Sequence, residues 1–259
     1  MRSSKSDTVA LFTAKKVAYI DTVQQIQDQK IHYIQTGKED APTLVFIHGS
    51  PGSWNAYEEY LTDSLLLKKY RIIAPDRPGF GYSSFRKVKS LKEQALSLNK
   101  MLVELANGQA YTLIGHSYGG PLIVKMAIEQ PALYDNLVVL AGALDPTAEK
   151  PENWRYPFHS FPLKYLVPGA LRPSNDELIA LKTELYALKD ELFKINQNVL
   201  IIHGTEDKLV PYQSAPYMEK RFTGAQQLKL LSLKGQNHFF VWSAKDLVIK
   251  NIIAWTSEE

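Results

Sequence analysis

The sequence predicts an α/β fold built on a doubly wound, mostly parallel sheet. Three observations carry that prediction. Short apolar runs alternate with segments of helical periodicity along nearly the whole chain. Several of these runs are apolar at every position rather than at every second one, so their strands are covered on both faces. Finally, Gly115-His116-Ser117-Tyr118-Gly119-Gly120 lies between an apolar run and a helical segment. That is a strand, a sharp turn and a helix, with a serine at the apex and glycines where two backbone segments must approach closely.

In chain order, residues 16–23 and 30–36 read as two strands, and the polar stretch 24–29 between them makes an antiparallel hairpin. Residues 43–47 form a buried strand, followed by the tight loop His48-Gly49-Ser50-Pro51-Gly52 and a helix over 54–69. Another buried strand, 70–74, runs into Pro75-Asp76-Arg77-Pro78-Gly79-Phe80-Gly81-Tyr82-Ser83. Residues 90–106 carry Leu91, Ala95, Leu98, Leu102 and Leu105 on one helical face, with Gly108 as the expected C-terminal cap. The strand 110–114 and helix 121–129 flank the central serine, and 136–144 is the next buried strand. Residues 146–173 change texture: prolines and aromatics crowd together and neither period persists, so this is an insertion in an otherwise single domain. Helix 174–192 with Ser174 as its N-cap, strand 199–203, helix 212–222, strand 227–233 and helix 240–255 complete the alternation.

Composition narrows the function classes. The 259 residues carry a net charge of +3 with no basic stripe, so nothing argues for nucleic acid as a partner. The chain has no cysteine, which excludes disulfides, thiolate metal sites and a thiol nucleophile. No apolar run approaches the roughly 20 residues of a membrane span. The polar opening, residues 1–7, lacks a signal-peptide core, so a cytoplasmic protein is expected, with a trimmed anchored or exported form as the alternative.

In a sheet of this kind ligands bind beyond the carboxyl ends of the strands. The residues there are His48 to Ser50, Asp76, Ser117, Asp145, Glu206 with Asp207, and His238. A hydroxyl is too weak an acid to attack unaided. It needs an imidazole to take its proton and a carboxylate to hold the imidazole's tautomer, and this edge offers all three groups.

The five segments His48-Gly49-Ser50-Pro51-Gly52, Asp76 to Ser83, Gly115 to Gly120, Gly204-Thr205-Glu206-Asp207-Lys208-Leu209-Val210-Pro211 and Gly235-Gln236-Asn237-His238 resemble the signatures of the α/β-hydrolase superfamily, in its chain order of serine, acid, histidine. The resemblance covers the chain from about Lys30 onward and implies eight strands, the second antiparallel, with a cap inserted after the sixth. It implies Ser117 as nucleophile, His238 as general base and Asp207 as acid, with Glu206 and Asp145 as competing acids. The oxyanion hole would be the backbone N–H groups of Ser50 and Tyr118. Asp76 and Arg77 read as a structural ion pair, His48 as an anchor of its loop, and His116 as packing under the serine. Serine at the apex sets the chain apart from the dehalogenase and epoxide hydrolase branches, which use aspartate there. The resemblance leaves hydrolysis of an ester, thioester, amide or carbon–carbon bond, or acyl transfer. A serine hydrolase of small-molecule carboxylic esters is the expected member of that set, needing neither cofactor nor metal.

The runner-up is a carbon–carbon bond hydrolase, for which Arg155 or Arg172 could hold a second carboxylate, and a non-catalytic ligand binder is the third reading. In the cap, Trp154, Tyr156, Phe158, Phe161 and Tyr165 are expected to wall a small apolar pocket, which favours acyl groups of up to about six carbons.

Overall fold

Strands buried on both faces need helices on both faces, and the computed structural model supplies them over the described residues 2–85, 90–149 and 153–257. Eight strands form one sheet: β1 (Tyr19–Ile26), β2 (Gln29–Gly37), β3 (Thr43–Ile47), β4 (Arg71–Pro75), β5 (Tyr111–His116), β6 (Asn136–Leu140), β7 (Asn198–Gly204) and β8 (Leu228–Leu233). Their spatial order is β1-β2-β4-β3-β5-β6-β7-β8. β2 runs antiparallel to both β1 and β4, and every other pairing is parallel. β3, β4, β5 and β6 are buried along their whole length, which is why they read as unbroken apolar runs.

Two apolar layers sandwich the sheet. One lies under α4 (Leu91–Glu104) and α5 (Gly119–Glu129), and includes Leu98, Leu102, Leu122 and Met126. The other holds Phe46, Tyr57 and Tyr60 against α1 (Lys5–Lys15) and the C-terminal helices. α4 starts on a capping box in which Ser90 and Glu93 satisfy each other's backbone N–H groups.

Several expected boundaries shift, each for a local reason. The segment 1–7 is not a plain polar lead: Ser4 caps α1, whose Phe12 is buried against Tyr19 and Trp54. The helix expected over 54–69 is divided into a 3-10 turn (Trp54–Tyr57), α2 (Glu58–Leu61) and α3 (Ser64–Lys69), the last restarted by Asp63 as N-cap. β6 stops at Leu140 because Ala141 adopts φ +47 and turns the chain out of the sheet. Gly108 does not cap α4; Leu105 does, and Gly108 lies in the turn beyond it. α6 (Arg172–Leu188) begins earlier than expected, with Pro173 in its first turn and Leu171 at the N-cap. Ser174 therefore sits inside the helix, where it does other work. α7 (Ser214–Arg221) is shorter than expected, and the last helix breaks at Ala244 into α8 (Phe240–Ser243) and α9 (Lys245–Trp255).

Between β6 and α6 the chain forms three 3-10 turns, Asn153–His159, Leu163–Tyr165 and Gly169–Leu171. Residues 150–152 of the expected insertion lie outside the described residues. Among the described residues, no helix is long and apolar enough to cross a membrane.

Candidate active site

The site is assembled from four loops at the carboxyl edge of the sheet: those after β5, β7 and β8, and the loop of Ser50 after β3. At its centre β5 turns into α5 through Ser117, whose φ of +56 lies in the left-handed region that β-carbon-bearing residues avoid. The strain is held by neighbours: the Ser117 N–H donates to Leu140 O at 3.0 Å, and Ser117 O accepts from Gly120 N–H at 2.9 Å. The flanking glycines are sterically required, since a Cβ on Gly115 would fall on the Gly119 carbonyl and one on Gly119 would fall on the Ile47 carbonyl.

The second loop follows β7. Asp207 is buried, and its Oδ1 accepts from the N–H groups of Leu209 (2.9 Å) and Val210 (2.8 Å). Its Oδ2 lies 2.7 Å from His238 Nδ1 and 3.5 Å from His203 Nε2. Burial alone would raise its pKa. The hydrogen bonds from His203, His238 and the Val210 N–H outweigh burial, so Asp207 stays ionised far below the ordinary carboxylate range. The third loop follows β8 and carries His238, whose ring centroid lies 4.6 Å from that of His116. His116 Nε2 is 3.1 Å from His238 O, and the Trp242 ring meets His116 edge-on. Burial, then repulsion by His238, lowers the His116 pKa to about 3, so this ring is neutral.

Ser117, Tyr118, His238 and Ser50 open onto one cleft of about 660 Å³. The sequence thus places the serine, the histidine and the proposed oxyanion donors together, with Asp207 behind the histidine. Among the described residues neither the Ser50 nor the Tyr118 N–H donates to another protein group.

Other expectations are corrected. The cap aromatics do not wall this cleft. Trp154, Tyr156, Phe161 and Tyr165 are 58, 54, 79 and 60% exposed, and half-buried Phe158 meets the Trp154 ring edge-on. The apolar walls are instead Leu178 and Leu181 of α6, Val210, Phe239 and Trp242. Proline-rich 3-10 turns have no period that turns their rings one way, whereas α6 projects Leu178 and Leu181 three residues apart on one face. Asp76 and Arg77 are not paired with each other. Asp76 accepts from the Trp54 and Tyr82 N–H groups at 2.8 Å each and faces His32 Nδ1 at 2.7 Å. Arg77 pairs instead with Glu177 of α6, which sequence reasoning missed. Asp145 spends its Oδ1 on the Thr147 N–H and hydroxyl, and Glu206 is exposed. Of the two arginines, Arg155 lines the cleft, while Arg172 donates to Val167 O and lies over the Tyr165 ring.

Residues 42–165 match the model of the alpha/beta hydrolase fold family. The chain is 28% identical over 118 residues to epoxide hydrolase 1 of Caenorhabditis elegans, an alignment spanning 44% of this chain and 28% of that protein. The alignments span well under half of the first curated relatives' own length, 28, 38 and 39%. Among solved structures, an esterase from Exiguobacterium antarcticum superposes with a TM-score of 0.73 at 20% identity, over 92% of this chain and all (100%) of that one. The 2-hydroxy-6-oxo-6-phenylhexa-2,4-dienoate hydrolase of Rhodococcus sp. strain RHA1 gives 0.73 at 18% identity, over 93 and 99%. Strand order, elbow and matched segment agree: the chain has the α/β-hydrolase fold.

Proposed function

We propose that the protein is a serine hydrolase that cleaves small-molecule carboxylic esters through an acyl-enzyme. The observation that carries this reading is the meeting, at one cleft, of a strained serine elbow with an Asp207–His238 pair at 2.7 Å. Ionised Asp207 accepts from His238 Nδ1–H, which leaves Nε2 as the base. Nε2 takes the Ser117 proton as Oγ attacks the ester carbonyl. The oxygen gains a negative charge that the Ser50 and Tyr118 N–H groups receive, an arrangement typically worth several kcal/mol of barrier. The tetrahedral adduct collapses, His238 returns the proton to the departing alcohol, and water repeats the sequence to release the acid.

The arrangement predicts turnover of p-nitrophenyl acetate with a burst equal to the enzyme concentration when deacylation is slow. A protein that binds esters without turning them over would instead be the non-catalytic binder. One observation favours a second reading: Arg155 lines the cleft and could hold a second carboxylate, as carbon–carbon bond hydrolysis of a dienoate would require. Comparing turnover of a 2-hydroxy-6-oxo-dienoate with that of nitrophenyl esters separates the two. A kcat/KM greater by tenfold or more for the dienoate would displace the esterase reading.

A further inference from the structure

A buried guanidinium bonds the peptide that carries one of the proposed oxyanion donors. The Gly49 carbonyl and the Ser50 N–H belong to the same planar peptide group, so whatever holds the oxygen also aims the hydrogen. That oxygen accepts two hydrogen bonds. One comes from His48 Nδ1 at 2.8 Å: because His48 Nε2 accepts from the Arg77 N–H at 3.1 Å, the ring must carry its proton on Nδ1. The other comes from Arg77 Nη2 at 2.9 Å.

Arg77 is itself held at both terminal nitrogens, while its buried Nε has no hydrogen-bond partner among the described residues. Glu177 grips it in a fork, Oε1 to Nη2 at 2.7 Å and Oε2 to Nη1 at 2.8 Å, and Gln94 Oε1 takes a further Nη1–H at 2.8 Å. The guanidinium lies between the rings of Phe80 and Tyr118, 4.5 and 4.6 Å from their centroids. Both charged side chains are fully buried, a costly arrangement that well-packed apolar residues could match for stability alone. Glu177 and Ser174 lie three residues apart on α6, and Ser174 Oγ accepts from Ser50 Oγ at 2.8 Å. The first two turns of α6 therefore hold the loop of Ser50 twice, once directly through Ser174 and once through Glu177 and Arg77.

We propose that Arg77, clamped by Glu177, is a positioning residue that aims the Ser50 N–H at the developing oxyanion. Donors on the Gly49 carbonyl also polarise the shared peptide and strengthen its N–H as a donor. Arg77 stands behind the loop, on the far side of the peptide from the substrate. This inference rests on the ester hydrolase reading above. It predicts a loss confined to the transition state, because the hole is filled only when charge develops.

The test is the double variant Arg77→Met/Glu177→Met, which removes both charges together and leaves neither buried alone. Arg77→Lys is run in parallel; it keeps a cation for Glu177 but lacks the fork that reaches Gly49 O at the same time. Circular dichroism and Tm report the fold. Nitrophenyl acetate kinetics and the Ki of a trifluoromethyl ketone, which forms a tetrahedral oxyanion on serine, report the hole. The expected result for the double variant is a folded protein with kcat lower by about tenfold to 10²-fold, KM within about twofold, and a trifluoromethyl ketone Ki raised in parallel with the kcat loss. Arg77→Lys should fall between it and wild type. An active wild type whose folded variants keep kcat and Ki, or lose KM alone, overturns the positioning role and leaves the esterase reading standing. A wild type that turns over no ester overturns both. If the double variant unfolds, Arg77→Lys decides alone: a lowered kcat at unchanged KM supports the role, and an unchanged kcat ends it.

Discussion

At Ser117 a single torsion underlies the proposed chemistry: φ +56 turns the side chain out of the sheet and into the cleft. Ser117→Ala removes one hydroxyl and leaves no core cavity, so turnover should vanish while the Tm stays within about 2 °C. The carboxylate behind the histidine should matter nearly as much. Asp207→Asn keeps the shape but presents an N–H to the ring or favours the wrong tautomer, and kcat should fall on the order of 10³–10⁴. Asp145→Asn disturbs only the turn at Thr147 and should cost less than about tenfold in a steady-state assay. The places of these residues at one edge of the sheet were legible in the sequence because each stands at a fixed offset within a short motif, and the motif's glycines mark where the backbone must fold back. Glu177 was not legible. It is one of several acidic residues on an ordinary amphipathic helix, and only the fold shows that its carboxylate meets Arg77, 100 residues away.

The element that most changes the reading is α6. It supplies Leu178 and Leu181 to the cleft and holds the loop of Ser50 through Ser174 and Glu177, while the aromatic turns before it face outward. The acyl-length ceiling reasoned from those aromatics therefore loses its walls. Trp154→Ala should leave kcat/KM for nitrophenyl esters from acetate to octanoate within about twofold at each length. Leu181→Trp, which places an indole in the cleft, should depress the longer esters by about tenfold relative to acetate. A ranking opposite to this would return the specificity to the insertion. The strands were the easiest elements to read, because continuous burial leaves continuous apolar runs. Helix limits were harder: Ser174 has the chemistry of an N-cap, yet Pro173 lets the helix start before it. The 54–69 segment keeps its apolar content through two breaks that hydropathy does not register.

For the molecule as a whole, burial of neutral imidazoles ties stability to pH. His116 titrates near 3 in the folded state because it is buried, whereas an exposed histidine in the unfolded chain titrates near 6.5. Between these values the unfolded chain binds the proton and the folded one does not. Stability from this group is complete above about 6.5 and falls as the pH drops toward 3, by on the order of 2 kcal/mol at pH 5. His48, also buried and held neutral, acts in the same direction. His32 acts in the opposite one. Burial lowers its pKa, but contacts with Asp76 and Asp21 outweigh that and raise it, so its contribution is present at low pH and is lost as pH rises through its folded value. Two depressed histidines against one raised predict net acid destabilisation, read as a Tm that falls steadily from pH 7 to pH 5. His116→Asn should make that slope shallower. A Tm that rises over this interval would mean that His32 dominates.

The expectations about activity turn on Ser117 being the group that attacks. The most direct measurement is the intact mass of the protein after exposure to a fluorophosphonate, followed by peptide mapping. The predicted result is one covalent adduct per chain, located on Ser117 and absent from both Ser117→Ala and acid-unfolded protein. An adduct on any other residue, or no adduct on folded wild type, would contradict the assignment.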